Sequence, residues 1–273
     1  MSSYLQVTIP VESELQSEML IALLANAGYD SFQEESKTLK AYITEERFDE
    51  EVLNSIIHQY SLDYSLEPIQ AKNWNEEWER NFEPVVIGKF CSIRAAFHES
   101  NRETLHEIII TPKMSFGTGH HATTSLMVEL MQHLDFSNAS VLDFGTGTGI
   151  LAVMAEKLGA KEIVAIDIDD WSILNAKENI EANQCLKIQL VQANNIPADK
   201  SFKIILANIN RNVILDSLPA MCKILEAKGE ILLSGLLVSD FEVVNTEAAN
   251  LGLHLQRKGE KSGWIALSYV SLS

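Results

Sequence analysis

Residues 141–150 read Val-Leu-Asp-Phe-Gly-Thr-Gly-Thr-Gly-Ile, and few folds accommodate such a segment. The apolar run Val141–Phe144 predicts a buried strand. Three alternating glycines, Gly145, Gly147 and Gly149, follow it at once. Without Cβ atoms they permit a tight turn and let a ligand approach the backbone. Ile150–Leu158 then reads as a helix ending at Gly159, so its first free N–H groups face that ligand. The alternation continues downstream. Glu162–Asp167, Ile188–Gln192, Phe202–Ala207 and Glu230–Leu236 predict strands, and Trp171–Ala182, Ile214–Leu225 and Phe241–Leu251 predict helices. Leu253–Arg257 and Trp264–Tyr269 close the chain as two more strands. This order predicts an α/β domain, a mostly parallel sheet with helices on both faces.

The loop also discriminates between ligands. A nicotinamide dinucleotide calls for Gly-x-Gly-x-x-Gly, but the sixth place here is Ile150. Asp143 before the loop suits a cationic amino-acid end better than a pyrophosphate. S-adenosylmethionine is therefore favoured over a dinucleotide, with a purely structural turn as the remaining reading. Asp167 lies 22 residues after Gly145 and ends the next strand, which suits hydrogen bonds from ribose hydroxyls. Asp169 reads as a helix N-cap, and Asp170 as a favourable charge on that helix's dipole. The fourth strand ends in Ala207-Asn208, where parallel sheets place their ligands. The Asn208 side-chain carbonyl is suited to accept a hydrogen bond from an amine and aim its lone pair, a catalytic role. Asn210 and Arg211 follow as weaker candidates. Met114–Thr124, with Gly117 and Gly119, predicts a loop before another helix, and loops on a rigid scaffold often carry binding residues. His120 and His121 within it lack an acid or cysteine at ligand spacing, so no metal site is expected.

The first 70 residues carry a different pattern. Tyr4–Pro10, Tyr29–Glu35, Leu39–Glu45 and Asp63–Ile69 predict strands. Ser13 with Gln16, and Asp49, predict the N-caps of two helices. The first helix carries an apolar stripe Leu15, Met19, Ala22 and Leu23; the second carries Leu53, Ile56, Ile57 and Tyr60. The resulting β-α-β-β-α-β order is ferredoxin-like. Residues 71–84, with Trp74, Trp78 and Phe82 four apart, predict a linker helix whose stripe serves packing. The second domain then spans 85–273, opening with strands in Val85–His98 and Glu107–Thr111.

Charge narrows the partners. The net charge is −17. Residues 1–70 hold 13 acids against three bases, a net −10, which leaves −7 for the other 203 residues. Such a surface repels a phosphate backbone and attracts a basic partner, so direct nucleic-acid binding is not expected. No apolar run approaches the length of a membrane helix. The first residues show no basic stretch followed by an apolar one. With Cys91, Cys185 and Cys222 far apart, a cytoplasmic protein with reduced thiols is expected.

Taken together, Trp74–Pro84, Phe116–Ser125, Val141–Leu151, Ala165–Asp169 and Ala207–Asn208 resemble the ribosomal-protein-L-eleven methyltransferases (PrmA), in order and in spacing. The segment Phe-Gly-Thr-Gly-x-His-x-Thr-Thr-Ser is the most specific part, since many unrelated methyltransferases share the glycine loop. The resemblance implies a small ferredoxin-like substrate-recognition domain, a linker, and a seven-stranded Rossmann-like class I methyltransferase domain that uses S-adenosylmethionine. It implies cofactor contacts from Thr124, Gly145, Asp167 and Asn208, with Gly147 in the same loop and Phe116 and Thr118 in a segment covering the cofactor. It implies methylation of amines, lysine side chains and an N-terminal α-amine, on a basic ribosomal protein of the large subunit. The chain is expected to act as a monomer. His120 stands where that family has threonine, and Ala122 where it has proline. The competing reading is a methyltransferase for a nucleic-acid base or a small amine. Ala207–Asn210 only partly resembles the Asn/Asp-Pro-Pro-aromatic loop of base methylases, lacking both prolines and the aromatic.

Overall fold

The computed structural model describes residues 4–35, 37–60, 62–69, 82–113 and 117–272. The chain divides into two compact units, Met1–Trp74 and Asn75–Ser273, each with its own buried core.

The first unit runs β1 (Tyr4–Pro10), α1 (Glu14–Asn26), β2 (Ser31–Glu35), β3 (Thr38–Thr44), α2 (Glu50–Gln59) and β4 (Ser65–Ile69). Its strands pair antiparallel in the order β2-β3-β1-β4. Apolar residues alternate along β1 and β3. Leu5, Val7 and Ile9 therefore meet Leu39, Ala41 and Ile43 on one face. Both caps form: Ser13 Oγ accepts from the Gln16 N–H at 3.2 Å, and Asp49 Oδ1 from the Glu51 N–H at 2.9 Å. The apolar stripe of α1 differs from the expected one. Leu20 and Leu24 fill the core, while Met19 is 41% exposed and Leu23 only half-buried. The helix is apolar on nearly every side between Met19 and Leu24, so spacing alone does not select the buried face. On α2, Leu53 and Ile57 are buried, as the spacing predicts.

The second unit opens with β5 (Val85–Ile87), β6 (Cys91–Ala95) and β7 (His106–Ile110), a small sheet of its own. The linker helix expected over 71–84 falls on residues outside the described ones, except that 82–84 have no regular secondary structure. Then follow α3 (Ala122–Met131), β8 (Ser140–Phe144), α4 (Ile150–Lys157), β9 (Glu162–Asp167), α5 (Asp170–Ala182), β10 (Ile188–Gln192), β11 (Phe202–Asn208), α6 (Arg211–Ile224), β12 (Leu225–Leu237), α7 (Phe241–Asn250), β13 (Leu253–Lys261) and β14 (Trp264–Ser271). The main sheet is ordered β10-β9-β8-β11-β12-β14-β13, with the first five strands parallel and β14 antiparallel to both neighbours.

Successive residues of the central strands point to opposite cores. Val141, Ile163 and Leu232 join the core beneath α3 and α4; Leu142, Val164 and Leu233 join the one beneath α6 and α7. Strands buried on both faces must be apolar throughout, and β8 is buried at every position. After β8 the chain builds outward through β9 and β10, then returns to the other side of β8 to place β11. The carboxyl ends of β8 and β11 therefore flank the switch point of the sheet, where the diverging connections leave a crevice. Among the described residues no helix is long and apolar enough to cross a membrane.

One polar device anchors the approach to this crevice. Asn183 of the α5 C-terminus brackets residue 109, accepting from its N–H at 3.0 Å and donating to its carbonyl at 2.6 Å. Asn179 accepts from the Thr111 N–H at 2.7 Å and donates to the Thr148 carbonyl at 2.7 Å. These amides satisfy backbone groups at the free edge of β7, just beyond its end and in the glycine loop.

Candidate functional site

The glycine loop is held from inside. Gly145 and Thr146 both donate backbone N–H groups to the Ile166 carbonyl at 2.9 Å. Asp143 is fully buried. Its Oδ2 accepts from Thr146 Oγ1 at 2.5 Å and from the Ala152 N–H at 3.1 Å. It thus ties the loop to the first turn of α4 and does not line the cavity described below, contrary to the expectation that it faces a ligand. Ala152 and Gly147 spend their N–H groups on Asp143 and Asp167. The loop therefore offers fewer free donors than its sequence suggests. Burial pushes the Asp143 carboxyl up to about 7, against the lowering effect of the Thr146 and Ala152 hydrogen bonds.

A stability effect follows. Folding raises this pKa, so the proton contributes stability that is complete below about pH 4 and lost as pH rises through about 7. The unfolding free energy of the wild type relative to Asp143→Asn should fall by about 2–3 kcal/mol between pH 5 and pH 8. Chemical denaturation at both pH values reads it. An unchanged difference would mean that Asp143 is ionised throughout.

A cavity of about 670 Å³ opens over the carboxyl ends of the strands. Gly145 and Gly147 line it from the β8 loop, Asp167 from the end of β9 and Ile168 just after it, Asn194 from beyond β10, Asn208 from the end of β11 and Ile209 just after it, and Gly235 from β12. His121 and Trp264 close another side, their rings edge-to-face at 4.8 Å. The Asp167 carboxylate accepts from the Gly147 N–H at 2.8 Å and the Asp169 N–H at 3.1 Å. Each oxygen keeps a further lone pair for a ligand hydroxyl. Asn208 is 9% exposed. Its Nδ2 donates to Thr124 Oγ1 at 3.4 Å, while its Oδ1 is buried and has no hydrogen-bond partner among the described residues. A buried acceptor left unsatisfied costs about 1–3 kcal/mol, so its retention needs a reason.

Ile209 explains two glycines. A Cβ on Gly145 would lie 2.3 Å from Ile209 Cγ2, and one on Gly235 would lie 2.0 Å from the Ile209 carbonyl oxygen. The residue after Asn208 is therefore seated between the ends of β8 and β12.

Of the sequence-derived candidates, Gly145, Gly147, Asp167 and Asn208 meet at this cavity. Thr124 lies behind Asn208 and does not line it, and neither does the half-buried Thr118. Phe116 lies outside the described residues. Asn210 lines the cavity and also caps α6 through the Val213 N–H at 3.1 Å. Arg211 pairs with Asp240. Asp169 caps α5. His120 packs its ring against Phe82. Gly235, Ile168, Asn194 and Trp264 were not singled out in the sequence. For Gly235 a signal exists, a glycine inside an apolar strand, which often marks close backbone approach.

The sequence profile described as Ribosomal protein L11 methyltransferase (PrmA) matches residues 6–271. The chain belongs to this family. A Phocaeicola vulgatus relative named Ribosomal protein L11 methyltransferase is 39% identical over 277 aligned positions, covering 98% of this chain and 99% of that one. A relative of the same name from Porphyromonas gingivalis is also 39% identical, covering 94% and 91%. The crystal structure of ribosomal protein L11 methylase from Lactobacillus delbrueckii subsp. bulgaricus superposes with a TM-score of 0.64 at 28% identity. That match covers 69% of this chain and 98% of the other. The mixed α/β sheet is thus the fold of a family methyltransferase, and the cavity lies at that sheet's switch point.

Proposed function

We propose that this chain transfers methyl groups from S-adenosylmethionine to amines of ribosomal protein L11, lysine side chains and the N-terminal α-amine among them. The observation that carries the site assignment is the convergence of Gly145, Gly147, Asp167 and Asn208 on one cavity at the carboxyl ends of the strands. The residues present fit the cofactor. A volume of about 670 Å³ is in the range of small-molecule sites. Gly145 and Gly147 bring bare backbone to the cavity lining, and Asp167 offers carboxylate oxygens for ribose hydroxyls. When bound, S-adenosylmethionine supplies an electrophilic methyl group on a sulfonium.

The chain's own contribution is placement. A lysine amine with a pKa of about 10.4, or an α-amine near 8, must lose its proton before it becomes a nucleophile. Asn208 Oδ1 accepts a hydrogen bond from the neutral amine and turns the nitrogen lone pair toward the cavity. Fixing two reactants in line contributes several kcal/mol. Water is the proton acceptor in this scheme.

The first unit is proposed as a ferredoxin-like substrate-recognition module, from its β-α-β-β-α-β order and its strand order. Its net charge of −10 over residues 1–70 favours a basic protein over RNA. Two experiments test this reading. Labelled methyl transfer should reach purified ribosomal protein L11 and not ribosomal RNA; label in RNA alone would overturn the assignment. Removal of residues 1–70 should abolish methylation of the protein while calorimetric binding of S-adenosylmethionine persists. Undiminished methylation by the truncated enzyme would exclude recognition by the first unit.

A further inference from the structure

We infer that Thr148, inside the glycine loop, is a positioning residue: its hydroxyl holds residues 117–121, and with them one wall of the cavity, in place for S-adenosylmethionine. The inference rests on the reading of the cavity as the site of that cofactor.

Thr148 is fully buried and does not line the cavity, so it acts through its neighbours. Its two polar groups serve different segments. The carbonyl accepts from Asn179 Nδ2 at 2.7 Å, and the hydroxyl donates to the Gly117 carbonyl at 2.6 Å, across 31 residues of sequence. Asn179 is a fixed post. It has no solvent exposure, its Oδ1 accepts from the Thr111 N–H at 2.7 Å, and its Nδ2 also donates to Asn175 Oδ1 at 2.8 Å. Thr148 therefore links the post on α5 to the segment at Gly117.

The contact at Gly117 is built for a hydroxyl. The backbone there has φ +106°, and a Cβ would lie 2.7 Å from Thr148 Oγ1. An oxygen comes within 2.6 Å of a carbonyl oxygen as a hydrogen-bond donor, whereas a carbon needs about 3.3 Å. Farther along, Ser125 Oγ donates to the Gly119 carbonyl at 2.9 Å. The segment is thus hung at two points, on the glycine loop and on α3, and it then delivers His121 to the cavity wall. The first point lies on the same loop that lines the cavity through Gly145 and Gly147. With the hydroxyl present, the wall stands in its binding arrangement before the cofactor arrives. Without it, a fraction of molecules holds that arrangement, and the apparent dissociation constant rises by the inverse of that fraction. Saturating cofactor restores the arrangement, so the chemical step is spared.

The test uses the full-length enzyme with ribosomal protein L11 as substrate. Thr148→Ala should raise the dissociation constant for S-adenosylmethionine about tenfold by calorimetry, a competent fraction of about one in ten. The KM for S-adenosylmethionine should rise alike, while kcat stays within about twofold. Hydrogen exchange over residues 117–121 should quicken in the cofactor-free variant and return toward the wild type at saturation. Thr148→Ser keeps the hydroxyl and should bind within about twofold of the wild type. Thr148→Val fills the site with carbon and should bind at least as weakly as Thr148→Ala. An affinity of Thr148→Ala within twofold of the wild type, or a loss confined to kcat or to melting temperature, would overturn the inference. Should Thr148→Ala fail to fold, equal affinities of the Ser and Val variants overturn it in the same way. A wild type that does not bind S-adenosylmethionine would instead reject the reading of the cavity.

Discussion

Asn208→Ala is expected to lower kcat by two to three orders of magnitude while the protein keeps its fold. The size follows from what is removed. A preorganised polar group aimed at a reacting centre in a water-poor site is worth about 3–4 kcal/mol of barrier. Misplacement of the nucleophile by 1 Å alone costs about a hundredfold. The folded state loses little in exchange. The amide's one described hydrogen bond is the 3.4 Å bond to Thr124, and its Oδ1 has no hydrogen-bond partner among the described residues. Removing an orphaned acceptor relieves a desolvation cost, so the melting temperature should stay within a few degrees of the wild type. Single-turnover methylation at saturating S-adenosylmethionine, read beside a thermal melt, separates chemistry from folding. Activity within threefold of the wild type would reject Asn208 as the orienting group.

The parts of this site that the sequence reveals are those built by local order. A strand, three alternating glycines and an apolar helix follow one another without a gap, so the loop at 145–149 needs no tertiary contact to be seen. Asp167 and Asn208 are legible because each closes a recognisable apolar strand, and ligands of parallel sheets gather at strand ends. What escapes is set by contacts between distant segments. Asp143 looks like a ligand group in sequence, yet the loop folds back so that Thr146 and Ala152 take its carboxylate. Thr124 reaches Asn208 only because α3 packs beside β11. The polar stripe Asn175, Asn179 and Asn183 has the spacing of a solvated helix face. Two of its members are instead consumed by the backbone beyond β6. The face of α1 escapes for another reason: its apolar residues surround the helix, and only the sheet decides which of them are buried.

Gly235→Ala should be among the most damaging substitutions in the chain, with a loss of about 3–5 kcal/mol in stability and of nearly all methyl transfer. Two costs combine there. The backbone has φ +85°, a conformation that costs a residue with a Cβ about 1–2 kcal/mol. The new Cβ would also lie 2.0 Å from the Ile209 carbonyl oxygen and 2.7 Å from its carbonyl carbon. These are backbone atoms, so no rotamer change relieves the overlap. Ile209 cannot retreat toward β8, because its Cγ2 already occupies the space above Gly145. The end of β11 must therefore part from β12, and Asn208, one residue earlier, moves with it. Gly252→Ala isolates the first cost. Its φ is +82° with no atom within 4 Å of the added Cβ, so about 1–2 kcal/mol is expected and full activity. Denaturant melts and initial rates of the two variants measure the difference. If Gly235→Ala costs no more than Gly252→Ala, β12 yields to the extra carbon. In that case the seat of Ile209 is not what fixes Asn208 at the cavity wall.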